Sequence, residues 1–170
     1  MEKLESEFFE QNAETVAEKL LGKILFRVHD DGTVHRYKIT ETEAYLGEED
    51  GACHASKGRT ARTEIMYSSG GNVYVYLIYG MYWMLNVVTG AKDHPQAVLI
   101  RGIDSIIGSG KVGRELKIDK SFNGEDLFQS NRIWIENTDD VIEFQTAPRI
   151  GIDYAQDTWK YKPWRFILKN

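Results

Sequence analysis

Glu41 and Glu43 stand two residues apart in Glu41-Thr42-Glu43-Ala44-Tyr45, inside a run from Val34 to Leu46 rich in β-branched and aromatic residues. If that run is a strand, side chains alternate between its faces, and both carboxylates fall on the same side as Tyr37, Ile39 and Tyr45. A carboxyl buried on such a face has its pKa pushed toward neutrality and becomes useful as a general base. The plainer alternative is a carboxylate at a strand end, reaching water or paired with an arginine. Arg101 lies in the otherwise apolar Val98-Leu99-Ile100-Arg101-Gly102-Ile103. Buried there it needs an anion, and either glutamate can supply it.

Three further groups invite chemistry. Tyr74 to Trp83, YVYLIYGMYW, concentrates tyrosines that serve equally as strand packing or as a stacking surface for a planar ligand such as a nucleobase. Tyr79 sits where the hairpin turns, with little core to enter, and a wedge of that kind can be driven between base steps. Cys53-His54 offers one thiol and one imidazole, and His29, His35 and His94 show no ligand spacing, so no metal is expected and His54 is read as a hydrogen-bonding residue. Lys57, Arg59 and Arg62 form either a solvated loop or a set of phosphate contacts.

The elements that must position these groups are mostly strands. Ala13, Val16, Ala17, Leu20 and Leu21 recur at helical spacing after an Asn12 cap, with Gly22 as terminator. Lys23–His29 and Val34–Leu46 read as a hairpin turned by Asp30-Asp31-Gly32-Thr33. Residues Gly47–Ser69 have no period and read as a long surface loop, which in a compact domain is usually functional. Val73–Ile78, Tyr82–Val88 and Ala97–Ile103 are further strands, Gly108–Ile118 a short helix, and Arg132–Lys169 three or four short strands. The chain has 170 residues and 42% hydrophobic content, enough for one substantial core. No secretory signal or membrane span is evident, one cysteine precludes an internal disulfide, and a cytoplasmic, monomeric protein without cofactors is expected. The net charge of −5 argues against coating nucleic acid non-specifically, though not against a local basic patch.

Taken in order, ETEAYLG, the loop to His54, GRTAR, YVYLIYGMYWMLNVV, AVLIRG, KIDKSFNGEDL, RIGI and KPWRF resemble the alkyladenine (3-methyladenine) DNA glycosylase family over almost the whole chain. The resemblance implies an α+β, mostly β single domain. It would be a curved, partly open antiparallel sheet or barrel, like the carboxy-terminal domain of methionyl-tRNA formyltransferase, with short helices outside and a protruding hairpin. It also implies a monofunctional enzyme that flips alkylated or deaminated purines from double-stranded DNA and hydrolyses the N-glycosidic bond, leaving an abasic site. By position, Glu43 would activate the water, with Arg101 and the carbonyl of Ile150 holding it. Tyr45 and Tyr76 would sandwich the base, His54 would hydrogen-bond to it or to its sugar-phosphate, and Asn86 would stand at the pocket floor. Tyr79 would fill the gap in the stack, and Lys57, Arg59, Arg62 and Lys120 would meet the DNA backbone. Glu41 is left as a structural carboxylate near a strand end, with a loop arginine as its candidate partner.

Two places depart from the family pattern. Ala61 and Thr63 stand where proline and asparagine are usual, which predicts a looser basic loop. The helical segment usual after Arg101 is replaced by the short stretch from Gly102 to Ile107. Two other functions compete. A non-catalytic nucleic-acid-binding module is disfavoured by Glu43 with Arg101, and a hydrolase of free nucleosides or RNA is disfavoured by Tyr79.

Overall fold

The computed structural model describes residues 1–170. Its organising strand is β2, Val34–Tyr45, whose β-branched and aromatic residues favour extended backbone. The first half of β2 pairs with β1 (Ile24–Val28), and the second with β5 (Gln96–Ile103). At Glu41–Glu43 it also meets β9 (Arg165–Leu168). The hairpin of β3 (Val73–Ile78) and β4 (Tyr82–Thr89) extends the sheet beyond β5, and β7 (Ile133–Glu136) lies outside β1. Two short strands complete it, β6 (Ile106–Ile107) against the end of β5 and β8 (Phe144–Ala147) against β9. All pairings are antiparallel, and the sheet curls into a half-barrel.

Helices cover one face. In α2 (Ala13–Leu20) the Asn12 side chain accepts the Glu14 N–H, and Val16, Ala17 and Leu20 are buried. Gly22, at φ 80°, carries the chain out of that helix as expected. α3 (Ser109–Glu115) lies so close to β4 that a Cβ on Gly113 would stand 1.9 Å from the Trp83 carbonyl oxygen. These helices and the inward residues Ile39, Val73, Leu85, Val87, Val98 and Ile100 form the main core. Short α1 (Ser6–Phe9) and α4 (Asp157–Lys160) were not expected, being one turn each with almost no period to read.

Three expectations are corrected. Residues 47–69 are not a plain surface loop. They contain two 3₁₀ turns, His54–Lys57 and Glu64–Tyr67, and bury Cys53, Ala55 and Met66 in a second cluster on the opposite face of the sheet. Their order comes from side chains bonding to backbone: Asp50 accepts the N–H groups of Leu46 and Ala52. Thr63 is buried, its hydroxyl donating to Gly58 O and accepting the Thr60 N–H, so the departure from family pattern acts as a staple.

The second correction concerns the faces of β2. Register slips at Thr40, where β2 has an extra residue, and again at Arg101, where β5 has one. The bulge moves the following residues to the other face: Tyr37 and Ile39 face the main core, and beyond it Thr42 and Ala44 do. Glu41, Glu43 and Tyr45 therefore face away from Tyr37 and Ile39, not with them. Gly102 permits the crossing, since a Cβ there would lie 2.8 Å from Thr40 Oγ1 and 2.9 Å from Glu41 Cβ. Third, Glu41 is not near a strand end but in mid-strand, and its partners are strand arginines.

Candidate active site

On the face opposite the main core, alternation across five strands brings one row of side chains together. Register places Tyr74 beside Asn86, Asn86 beside Leu99, Leu99 beside Glu43, and Glu43 beside Arg165. A second row runs Val88, Ala97, Tyr45. With the loops 47–69 and 149–154 as walls, these residues enclose a cavity of about 470 Å³ that Glu43, Tyr45, His54, Tyr76, Asn86 and Arg101 line. Tyr79 and Ile150 stand on it too. The sheet and its connecting loops thus bring into one cavity eight residues that lie up to 107 positions apart in sequence.

Glu43 is fully buried, and its two oxygens have different fates. Oε2 accepts the Ile150 N–H at 2.8 Å, while Oε1 is buried with no partner in the protein. Burial pushes its pKa up to about 7, against the opposing pull of the Ile150 N–H and of the Arg101 and Arg149 guanidiniums. An unpartnered carboxylate oxygen with a pKa near neutrality is suited to taking a proton from a group in the cavity. It is the Ile150 N–H, not the carbonyl, that the structure brings to Glu43.

Glu41, two residues earlier, is held differently. Its Oε1 accepts Arg101 Nε at 2.9 Å and an Arg165 guanidinium N–H at 3.1 Å. Arg101 is thereby fixed at the cavity wall. Behind Glu43 lies a buried ion pair, Arg149 with Asp50 at 2.5 and 2.9 Å, which also reaches Ala44 O and Trp159 O. The Arg149 guanidinium is packed between the Tyr45 and Trp164 rings, 4.8 and 4.9 Å from their centroids. It anchors both the backbone next to Ile150 and the ring of Tyr45.

The other end of the cavity is aromatic. His54 Nδ1 hydrogen-bonds with the Tyr74 hydroxyl at 2.9 Å, and the imidazole meets the Tyr76 ring edge-on at 4.5 Å. Burial first, then Arg62 and Lys57, push the His54 pKa down to about 4, so its ring is neutral at pH 7. Asn86 is buried, its amide donating to Tyr74 O at 3.2 Å. At the hairpin tip Tyr79 and Gly80 have φ of 52° and 64°, a type I′ turn closed by Met81 N–H to Ile78 O. A tyrosine in that conformation is strained, and its side chain is thrown outward, 87% exposed.

Comparison with known proteins agrees with this geometry. The family model described as methylpurine-DNA glycosylase (MPG) matches residues 7–109 and 104–170. The chain belongs to the methylpurine-DNA glycosylase family. It is therefore a DNA-repair enzyme of the N-glycosyl hydrolase class. It is 41% identical over 192 residues to a provisionally named 3-methyladenine DNA glycosylase of Natranaerobius thermophilus, covering 99% of this chain and 96% of that protein. A protein of the same provisional name from Borrelia garinii is 46% identical over 178 residues, 96% of this chain and 94% of that one. A third, from Methanocella arvoryzae, is 41% identical over 187 residues, 98% and 92% of the two chains.

Of the cations expected at a DNA backbone, the structure leaves Lys57 and Lys120 exposed. Arg59 is already engaged, by Glu64 at 2.7 Å and Asp93 at 3.2 Å, and covers the Tyr67 ring. Arg62 lines the cavity itself, 5.4 Å from the Tyr76 centroid. Sequence reasoning missed Asp50, Arg149 and Arg165. The signal was present in part, since RIGI and KPWRF both carry an arginine amid apolar residues, the pattern that singled out Arg101.

Proposed function

We propose that the protein flips alkylated or deaminated purines out of duplex DNA and hydrolyses their N-glycosidic bond with water activated by Glu43, leaving an abasic site. The observation that carries this reading is the unpartnered, buried Glu43 Oε1 at the wall of a base-sized cavity. In the reaction, water adds to C1′ as the C1′–N bond breaks, and its proton passes to Oε1. The sugar develops oxocarbenium character, and the nearby carboxylate stabilises that positive charge as well. The Ile150 N–H holds Oε2, so the acceptor oxygen does not rotate away.

Tyr45 and Tyr76 offer ring faces for the extruded purine, with neutral His54 as hydrogen-bond partner and Asn86 on the floor. Each stacked base is worth about 1–3 kcal/mol, comparable to the cost of flipping. Tyr79, exposed at a tight turn beside the cavity, is suited to filling the vacated place in the stack. No lysine lines the cavity, which supports hydrolysis without a Schiff base and without strand cleavage. The same reading takes the protein to act as a monomer in the cytoplasm, where its buried Cys53 stays reduced.

The test is a labelled duplex carrying hypoxanthine, ethenoadenine, 3-methyladenine or 7-methylguanine, incubated with protein and then treated with hot alkali to cut at abasic sites. Cleavage at one or more lesions is expected. None at any of them would overturn the proposal. Lesion binding without excision by the unaltered protein would favour a non-catalytic module of the same fold.

A further inference from the structure

The cavity holds two sets of charges at separate places. Arg101, Arg149 and Glu41 act on Glu43, and the field of Arg62 falls on His54, Tyr74 and Tyr76. Arg62 comes from the stretch between the two 3₁₀ turns that Thr63 staples to Gly58 and Thr60, so its Cα is placed rather than free. Its guanidinium stands over the Tyr76 ring. No carboxylate is within ion-pair distance of it, unlike Arg59 three residues earlier, which two acidic side chains engage. His54 beside it carries no charge at pH 7. Arg62 is thus the unneutralised cation at the aromatic end of the cavity.

We infer that Arg62 is a specificity-determining residue that selects for neutral damaged purines over cationic ones. The inference rests on the glycosylase reading above. Its chemistry follows from the electron pair of the breaking bond. When C1′–N9 of a hypoxanthine nucleotide breaks, the pair leaves with the base, which departs as an anion. Water supplies oxygen to C1′ and its proton to Glu43, and the departing base later takes one proton from solvent as Glu43 gives one back. A guanidinium beside the base stabilises that anion as it forms, through charge and through N–H donors to the ring nitrogens or carbonyl oxygen. A 7-methylguanine base is already cationic and departs neutral. It gains nothing from Arg62 at the transition state, and in the ground state the two positive charges repel and compete for the Tyr76 ring face.

A phosphate contact would act otherwise. It would help every lesion alike, because backbone charge is the same for all of them.

The experiment measures single-turnover excision of hypoxanthine and of 7-methylguanine from otherwise identical duplexes by the unaltered protein, Arg62→Gln and Arg62→Lys. The unaltered protein removing neither lesion would sink the glycosylase reading and this inference with it. Given excision, Arg62→Gln is expected to lower the hypoxanthine rate relative to the 7-methylguanine rate by about tenfold, less than a fully buried donor would give because Arg62 is solvated. Arg62→Lys, which keeps the charge but loses the planar fork, should recover part of that ratio. A parallel fall for both lesions in Arg62→Gln, or an unchanged ratio, overturns the inference and returns Arg62 to the DNA backbone.

Discussion

Replacing Glu43 with glutamine keeps the shape of the side chain and removes its charge, and the effect on stability should depend on pH. The folded carboxyl has its pKa raised from the usual 4.5 to about 7, first of all by burial. Below pH 4.5 the group is protonated in folded and unfolded chains alike, and its full contribution to stability is present. As pH rises from 4.5 through 7 the unfolded chain has released a proton that the folded one still holds, so stability is lost across that window. The difference between the two pKa values, at about 1.4 kcal/mol per pH unit, amounts to about 3 kcal/mol above pH 7. Glutamine does not titrate: its amide oxygen accepts the Ile150 N–H and its nitrogen takes the place of the unpartnered oxygen. In urea at pH 8.5, Glu43→Gln should therefore be more stable than the unaltered protein by about 3 kcal/mol, roughly 6–12 °C in Tm for a chain of this size. At pH 4.5 the gain should nearly vanish. Equal gains at both pH values, or a loss at pH 8.5, would refute the account of Glu43 as a buried carboxylate held at a cost. In the proposed reaction the deprotonated form takes the proton from water, so excision of 7-methylguanine by the unaltered protein should rise with pH around a midpoint near 7. The glutamine variant should lack that limb.

Two other perturbations test the frame around the site. Arg149→Met leaves Asp50 buried without its partner and frees the backbone beside Ile150; urea unfolding should show a loss of about 3–5 kcal/mol, and the double change with Asp50→Asn should recover part of it. Tyr79→Ser, at a fully projecting side chain, should leave Tm nearly unchanged while weakening duplex binding about tenfold by fluorescence anisotropy, and an unchanged affinity would remove the wedge role.

Much of the sheet was legible because its strands obey a period of two. The runs at Val34, Val73, Tyr82 and Ala97 begin within a residue of the observed β2, β3, β4 and β5, and Asn12 and Gly22 bound α2 as their chemistry demands. What alternation could not show is a change of phase within a strand. Thr40 has no propensity that announces a bulge, and Gly102 reveals itself only once the two backbones are seen to cross. The loop 47–69 was opaque for a different reason. Its order rests on Asp50 and Thr63 bonding to backbone, contacts that leave no apolar period. The ion pair of Asp50 with Arg149 spans 99 residues, beyond any local pattern.

The bulge is also what separates the two glutamates chemically. Without it, Glu41 and Glu43 would follow Tyr37 and Ile39 into the main core, where neither charge has a partner and ionisation would be costly. With it, both face the cavity side, and their neighbours then diverge. A second slip follows at once, where the extra residue of β5, Arg101, brings a guanidinium to Glu41, and β9 adds Arg165. Two guanidiniums engage the Oε1 of Glu41 with charge-assisted hydrogen bonds and fix the side chain between β5 and β9. Glu43 receives a single N–H on one oxygen and none on the other, so burial dominates and its proton affinity rises. Two identical side chains on one strand thus become a fixed strut and a buried carboxyl with one open oxygen, through a difference of two arginines against one amide.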